Sequence, residues 1–249
     1  HGMSPLDPPR CLSAPARGSV LVLAPHPDDE VIGVGGTLAL HARQGDRVHV
    51  VVAFDGAAGL PTMAPGQARD LRCREALAGG RALSSLTSAL THQFLEFPEG
   101  HEPTDAELQR GAALLARILI ERRPTSVYAP WPGDAHQDHR VLAAALALAL
   151  EQLPVHQRPK YVWGFEVWST LEASVLLDVT PVMDMKRAAL ECHASQSTTN
   201  LTRRALGLAA WRSAHLDQDQ RYAEALCPFP PASSSELNPA AAFPSEQRA

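Results

Sequence analysis

Short apolar runs rich in β-branched residues alternate along the chain with longer stretches in which apolar positions recur at helical spacing. GSVLVLA (18–24) and RVHVVVAF (47–54) read as strands, and GGTLALHARQG between them reads as a helix closed by Gly45. The alternation continues with ARDLRCREALAGGRALS as a helix, QFLEF as a strand, DAELQRGAALLARILIERR as a helix, SVYAP as a strand and HRVLAAALALALEQL as a helix. Beyond residue 159 it gives way to two β-rich runs, KYVWGFEVW and SVLLDVT, and then to helical spacing around 181–195 and 201–217. Strands separated by helices predict a parallel sheet, because each parallel pair needs a crossover long enough to hold a helix.

The pattern predicts an α/β chain: a Rossmann-like, mostly parallel sheet with helices on both faces, in a single domain over 15–226. Residues 1–14, opening with HGMS, read as a cloning remnant and N-terminal extension. Residues 227–249, rich in Pro, Ser and Ala without apolar periodicity, read as a flexible C-terminal tail. The longest apolar run, VLAAALALAL, is too short to span a bilayer, which takes roughly 20 helical residues. A formal net charge of -5 offers no basic footprint for phosphates, so nucleic acid is not an expected partner. Cys11, Cys73, Cys192 and Cys227 are scattered with no CxxC spacing, which suits reduced thiols in a cytoplasmic protein.

Chemistry collects where two of the expected strands stop. VLVLA runs into His26, Pro27, Asp28, Asp29 and Glu30, and SVYAP runs into a loop carrying Asp134, His136, Asp138 and His139. Ligands of parallel sheets bind outside the carboxyl ends of the strands. His26 and Asp29 are three apart, as are His136 and His139, so each pair can converge if a helix starts there. His26, Asp29 and His139 make two imidazoles and one carboxylate, the donor set of an open catalytic zinc site. A lone HPDDE also fits a polar turn with a helix cap. Two such clusters, each behind a strand, are much harder to obtain by accident. Glu30 suits a first-turn carboxylate facing the helix dipole. GVGG (33–36) lies too far past the strand, and lacks the third glycine, for dinucleotide binding; Gly35 and Gly36 suit close approach of helix to sheet.

PHPDDE with the later HQDH resembles the LmbE or PIG-L family of zinc-dependent deacetylases, which act on N-acetylglucosamine units of glycoconjugates. The likeness runs over about 18–215, more loosely through FDG (54–56), RCREAL (72–77), FPEG (97–100), EVW (166–168) and HASQ (193–196). It implies that His26, Asp29 and His139 hold Zn2+, that Asp28 is the general base for the metal-held water, and that His136 stabilises the intermediate. It further implies that Asp138 orients His136 and keeps it cationic, and that Arg72, Glu99 and His193 are candidate substrate contacts. For Arg72 a surface ion pair with Glu75 or Asp70 is the bland alternative. Gln137 stands where the family commonly has proline, and Glu99 where it commonly has aspartate. The implied partner is a small N-acetylated sugar or glycoconjugate. Two rivals share the residues: a non-haem iron oxygenase with the same two-His-one-carboxylate set, and a sugar-binding protein without catalysis, against which intact Asp28 and His136 speak.

Overall fold

The structure, a computed structural model, describes residues 8–84, 90–217 and 219–229. Eight strands form one sheet: β1 (Arg10–Leu12), β2 (Val20–Ala24), β3 (Val48–Phe54), β4 (Leu90–Phe97), β5 (Ser126–Pro130), β6 (Tyr161–Phe165), β7 (Val175–Asp178) and β8 (Ala223–Pro228). Their order is β1-β7-β8-β6-β5-β2-β3-β4. Five of the seven pairings are parallel; the two made by β8 are antiparallel. The mostly parallel α/β fold is therefore as expected.

Among the described residues six α-helices cover the sheet: α1 (Asp29–Gln44), α2 (Pro65–Leu83), α3 (Asp105–Arg122), α4 (Gln137–Gln152), α5 (Met183–Glu191) and α6 (Leu201–Arg212). β2 shows why both faces are needed. Val20, Val22 and Ala24 face one core with α1, α5 and α6, while Leu21 and Leu23 face the other with α3 and α4. A strand buried on both sides has no polar face to alternate with, which is why it reads as an unbroken apolar run.

Close approach by α1 is bought with glycine. A Cβ on Gly36 would stand 2.6 Å from the Val179 side chain and 3.0 Å from Glu224 Oε1. Helical geometry breaks at Val34 (φ -134°), and the backbone groups freed there find buried partners. Glu224 accepts from the Gly36 and Thr37 N–H groups at 2.7 Å each, and Lys186 Nζ donates to Ile32 O at 2.8 Å and to Glu224 Oε1 at 2.6 Å. This ties the first half of α1 to the late strand β8.

Both expected domain boundaries need correction. β1 lies inside the presumed N-terminal extension and pairs with β7. β8 runs through Cys227 to Pro228, and Phe229 is fully buried, so the presumed tail starts inside the sheet. The remainder of those two segments, 1–7 and 230–249, lies outside the described residues.

Candidate active site

β2 and β5 are neighbours, and the sheet grows away from them in opposite directions, through β3 and β4 on one side and β6 on the other. The loops leaving their carboxyl ends therefore diverge and open a crevice at this switch of direction. His26 to Glu30 fill it from β2, and Asp134 to His139 from β5. The two clusters, 110 residues apart in sequence, meet there.

Asp29 is the point of convergence. Its Oδ2 lies 3.1 Å from His26 Nδ1 and 3.1 Å from His139 Nε2, and also accepts the His26 backbone N–H at 2.9 Å. The far nitrogen of each imidazole is backed by another acid: His26 Nε2 is 3.0 Å from Asp138 Oδ2, and His139 Nδ1 is 3.5 Å from Asp134 Oδ1. Carboxylates behind histidines are the usual support of metal-ligating imidazoles, fixing the tautomer and the ring. His139 is fully buried, yet neither of its nitrogens has a hydrogen-bond partner of good geometry. A buried imidazole between two acids, with both nitrogens unsatisfied, fits a cation. One ring nitrogen each of His26, His136 and His139 also come within 4.8 Å of one another. His136 Nδ1, however, is already engaged, accepting the Asp138 N–H at 3.2 Å as the N-cap of α4. The set of His26, Asp29 and His139 leaves that cap intact.

The electrostatics agree. Burial opposes charge on His26, but its hydrogen bonds to Asp138 and Asp29 prevail and raise its pKa to about 10. His139 is likewise penalised by burial, yet the fields of Asp29 and Asp134 raise it to about 9. Asp29 is penalised by burial too, and the two imidazoles still hold it well below the usual carboxylate range. Asp28 moves the other way: burial, helped by Asp29 and Glu30 and resisted by Arg72, pushes it up to about 7. Its backbone is unusual for a residue with a side chain (φ 156°, ψ -22°), and it makes no cap to α1. Its Oδ2 instead meets Arg72 Nη2 at 3.0 Å.

Residues 21–150 match the family described as PIG-L, GlcNAc-PI de-N-acetylase. The chain belongs to the PIG-L family. One relative, the 1D-myo-inositol 2-acetamido-2-deoxy-alpha-D-glucopyranoside deacetylase of Mycobacterium sp. (strain KMS), is 30% identical over 240 residues, covering 71% of this chain and 73% of its own. Among solved structures, GalB, the 4-carboxy-2-hydroxymuconate hydratase of Pseudomonas putida KT2440, is similar with a TM-score of 0.68 and 26% identity, covering 89% of this chain and all of that one. N,N'-diacetylchitobiose deacetylase of Pyrococcus horikoshii shares the fold with a TM-score of 0.71 at 23% identity, covering 84% and 82% of the two chains.

In this PIG-L chain His26 and Asp29 of the donor set line a pocket of about 490 Å³, together with Asp28 and His136. Arg72 lines it, buried rather than on the surface: besides Asp28 it donates to Gly56 O at 2.9 Å and Pro27 O at 3.2 Å. Gly56, at φ 68°, makes this possible, since a Cβ there would lie 2.7 Å from Arg72 Nη1. The Glu75 carboxylate goes elsewhere, accepting the Ser195 N–H at 2.8 Å and hydroxyl at 2.6 Å. Glu99 lines the pocket, 3.4 Å from His26 Nε2 and bonded by the Ala58 N–H. His193 does not. It is buried behind Gly79, whose Cβ would stand 3.1 Å from Nε2, while Gln196, three positions on, reaches the pocket.

A second correction concerns Asp138. Its carboxylate bonds His26 and the Gly100 N–H (3.0 Å), and stands 4.0 Å from His136 Nδ1. His136 is therefore not held cationic; burial first, then repulsion from His26 and His139, lowers its pKa. Accepting a backbone N–H at Nδ1 places its proton on Nε2, as a neutral donor. Glu30 stands in the first turn of α1, where its carboxylate faces the helix dipole, and is buried there with neither oxygen hydrogen-bonded, 3.5 Å from His92 Nε2. From the sequence Asp134 is only one acid of the cluster behind β5, with no duty of its own. Asp134 accepts from the backbone N–H groups of His136 (2.9 Å) and Trp168 (3.1 Å). Its place two before His136 was the available signal.

Proposed function

We propose that the protein is a metal-dependent hydrolase that removes the acetyl group from an N-acetylglucosamine-type amino sugar or its conjugate. The observation that carries this reading is the meeting of a two-imidazole, one-carboxylate donor set with a buried acid of pKa about 7 beside a pocket, in a PIG-L chain. His26, Asp29 and His139 would hold a divalent cation, with zinc the natural fit for two nitrogens and one oxygen, and when bound it would supply Lewis acidity to the amide carbonyl and acidify water. Asp28 takes the proton from the attacking water and delivers it to the departing amine. Its carboxyl sits near neutrality, where a general base works best, and Arg72 fixes its orientation. His136 Nε2–H points a neutral donor at the oxygen on which charge develops. A non-haem iron oxygenase finds no support in fold or family.

Acetate release from a panel of N-acetylglucosamine conjugates by the zinc-loaded protein tests the reading; no release from any would sink it. The likeness to a hydratase over its full length favours a second reading, water addition to a carboxylated enol, for which Asp28 would again move the proton. Loss of conjugated absorbance on 4-carboxy-2-hydroxymuconate, without acetate release from any sugar, would install that reading instead. A cytoplasmic location remains part of the proposal; among the described residues no helix is long and apolar enough to cross a membrane.

Two predictions concern the metal. In the metal-free protein His26 and His139 have folded pKa values near 10 and 9 against 6.5 for the free side chain. Their contribution to stability is fully present below pH 6.5 and is lost as pH rises through 9 to 10. Metal uptake replaces both protons, so near pH 7.5 it should release about two protons, and affinity should climb with pH. Calorimetry in buffers of different ionisation enthalpy measures this; uptake without proton release would reject these ligands.

Asp138→Asn should weaken zinc affinity by about 10- to 100-fold. The amide oxygen can still accept from Gly100, which turns the NH2 toward His26 Nε2. That forces the His26 proton onto Nδ1, the nitrogen facing Asp29. Competition against a chromophoric chelator reads the affinity, and an unchanged value would reduce Asp138 to an anchor for the Gly100 loop.

A further inference from the structure

The pocket carries a cation that the deacetylation chemistry does not use. Asp28, Asp29 and Glu99 line it beside His26 and His136, Ile32, Val167, Leu201, Ala205 and Leu208 add apolar wall, and Trp168 and Arg204 line it as well. Of the two arginines lining the pocket, Arg72 is buried and committed to Asp28 and two carbonyls. Arg204, on α6, is exposed, with its guanidinium carbon 4.9 Å from the centre of the Trp168 ring. Among the described residues no carboxylate lies within ion-pair distance of it.

The platform under Arg204 is anchored at its backbone. Trp168 is held through its backbone N–H by Asp134, itself buried, and its ring centre lies 6.0 Å from that of His136. A guanidinium held over an aromatic face keeps its N–H donors available at its edge, in the fork that matches a carboxylate or phosphate. An anionic group on the substrate is attracted to this guanidinium, which no carboxylate of the described residues neutralises. Substrate polarity would thus select the orientation in which the acetamido group reaches His136 and Asp28.

We propose that Arg204, presented on Trp168, is a specificity residue that recognises an oxyanion, carboxylate or phosphate, carried by the substrate away from its N-acetyl group. The proposal rests on the deacetylase reading for the reaction at the donor set.

The test compares wild type, Arg204→Gln and Arg204→Lys, zinc-loaded, for acetate release from three probes: N-acetylglucosamine 1-phosphate, N-acetylmuramic acid and methyl N-acetylglucosaminide. In Arg204→Gln the KM for an anionic probe relative to the neutral one should rise about 10- to 100-fold, the span expected for a lost charge-assisted hydrogen bond, with kcat little changed. Arg204→Lys should restore part of the preference. Which anionic probe responds identifies phosphate or carboxylate. Equal effects on charged and neutral probes, or none, would overturn the proposal while leaving deacetylation standing. If no probe releases acetate, calorimetric binding of the two anionic probes decides: binding that needs Arg204 sustains the anion site while the deacetylase reading falls, and binding indifferent to Arg204, or none, overturns it.

Discussion

Asp28→Asn should lower kcat/KM by about 10²- to 10⁴-fold, the range for removing a positioned general base, while zinc affinity and fold persist. The amide keeps the size and one acceptor oxygen, so Arg72 retains Pro27, Gly56 and a weaker third partner. The pH profile makes the prediction specific. A base must be deprotonated, so the wild-type rate should fall on the acid side, with a midpoint at or below pH 7, because a bound cation pulls Asp28 below its metal-free value of about 7. That limb should vanish from the residual activity of Asp28→Asn.

Stability gives an independent check in the metal-free protein. There the folded pKa of Asp28 lies above the unfolded 3.8, so its contribution is fully present below pH 3.8 and is lost as pH rises through 7. Asp28→Asn should remove that component. Thermal melts from pH 4 to 8 should therefore slope less steeply downward with pH in the variant than in wild type. A variant with normal turnover and an unaltered acid limb would remove Asp28 from the mechanism.

What was legible in the sequence was whatever sits within a few residues of a strand end. His26 with Asp29, and His136 with His139, announce themselves because three-residue spacing behind an apolar run has few other uses. The parallel order of the sheet followed from alternation alone. What escaped depended on which partner a side chain meets across the fold. Arg72 looks like a surface residue among other charges on α2, and only the loop carrying Gly56 and Gly59 buries it against Asp28. Asp138 sits two residues from His136, yet its carboxylate faces His26, 112 residues away. β1 and β8 were missed for a different reason. β1 has only three residues, and β8 ends in Cys-Pro beside a Pro-rich segment, so neither carries a periodic signal long enough to read.

His136→Ala should cost turnover about 10²- to 10³-fold, or about 2.7–4 kcal/mol, the loss seen when one preorganised donor to a developing oxyanion is removed. The side chain has a second duty that must be separated from this one. As N-cap of α4 it accepts the Asp138 N–H, and losing a cap costs about 0.5–2 kcal/mol of stability. His136→Asn distinguishes the two. Asparagine caps helices well, so this variant should melt close to wild type, yet its short side chain cannot carry a donor to where Nε2 stands. Both variants should therefore lose turnover alike, while only His136→Ala loses stability. Because the imidazole is neutral and already holds its proton on Nε2, wild type should show no loss of rate at pH 7 to 8 from deprotonation of His136. Had Asp138 kept it cationic, an alkaline limb belonging to His136 would appear in wild type and disappear in His136→Asn. Recovery of full turnover in His136→Asn would show that the cap, and not the donor, is what the reaction requires.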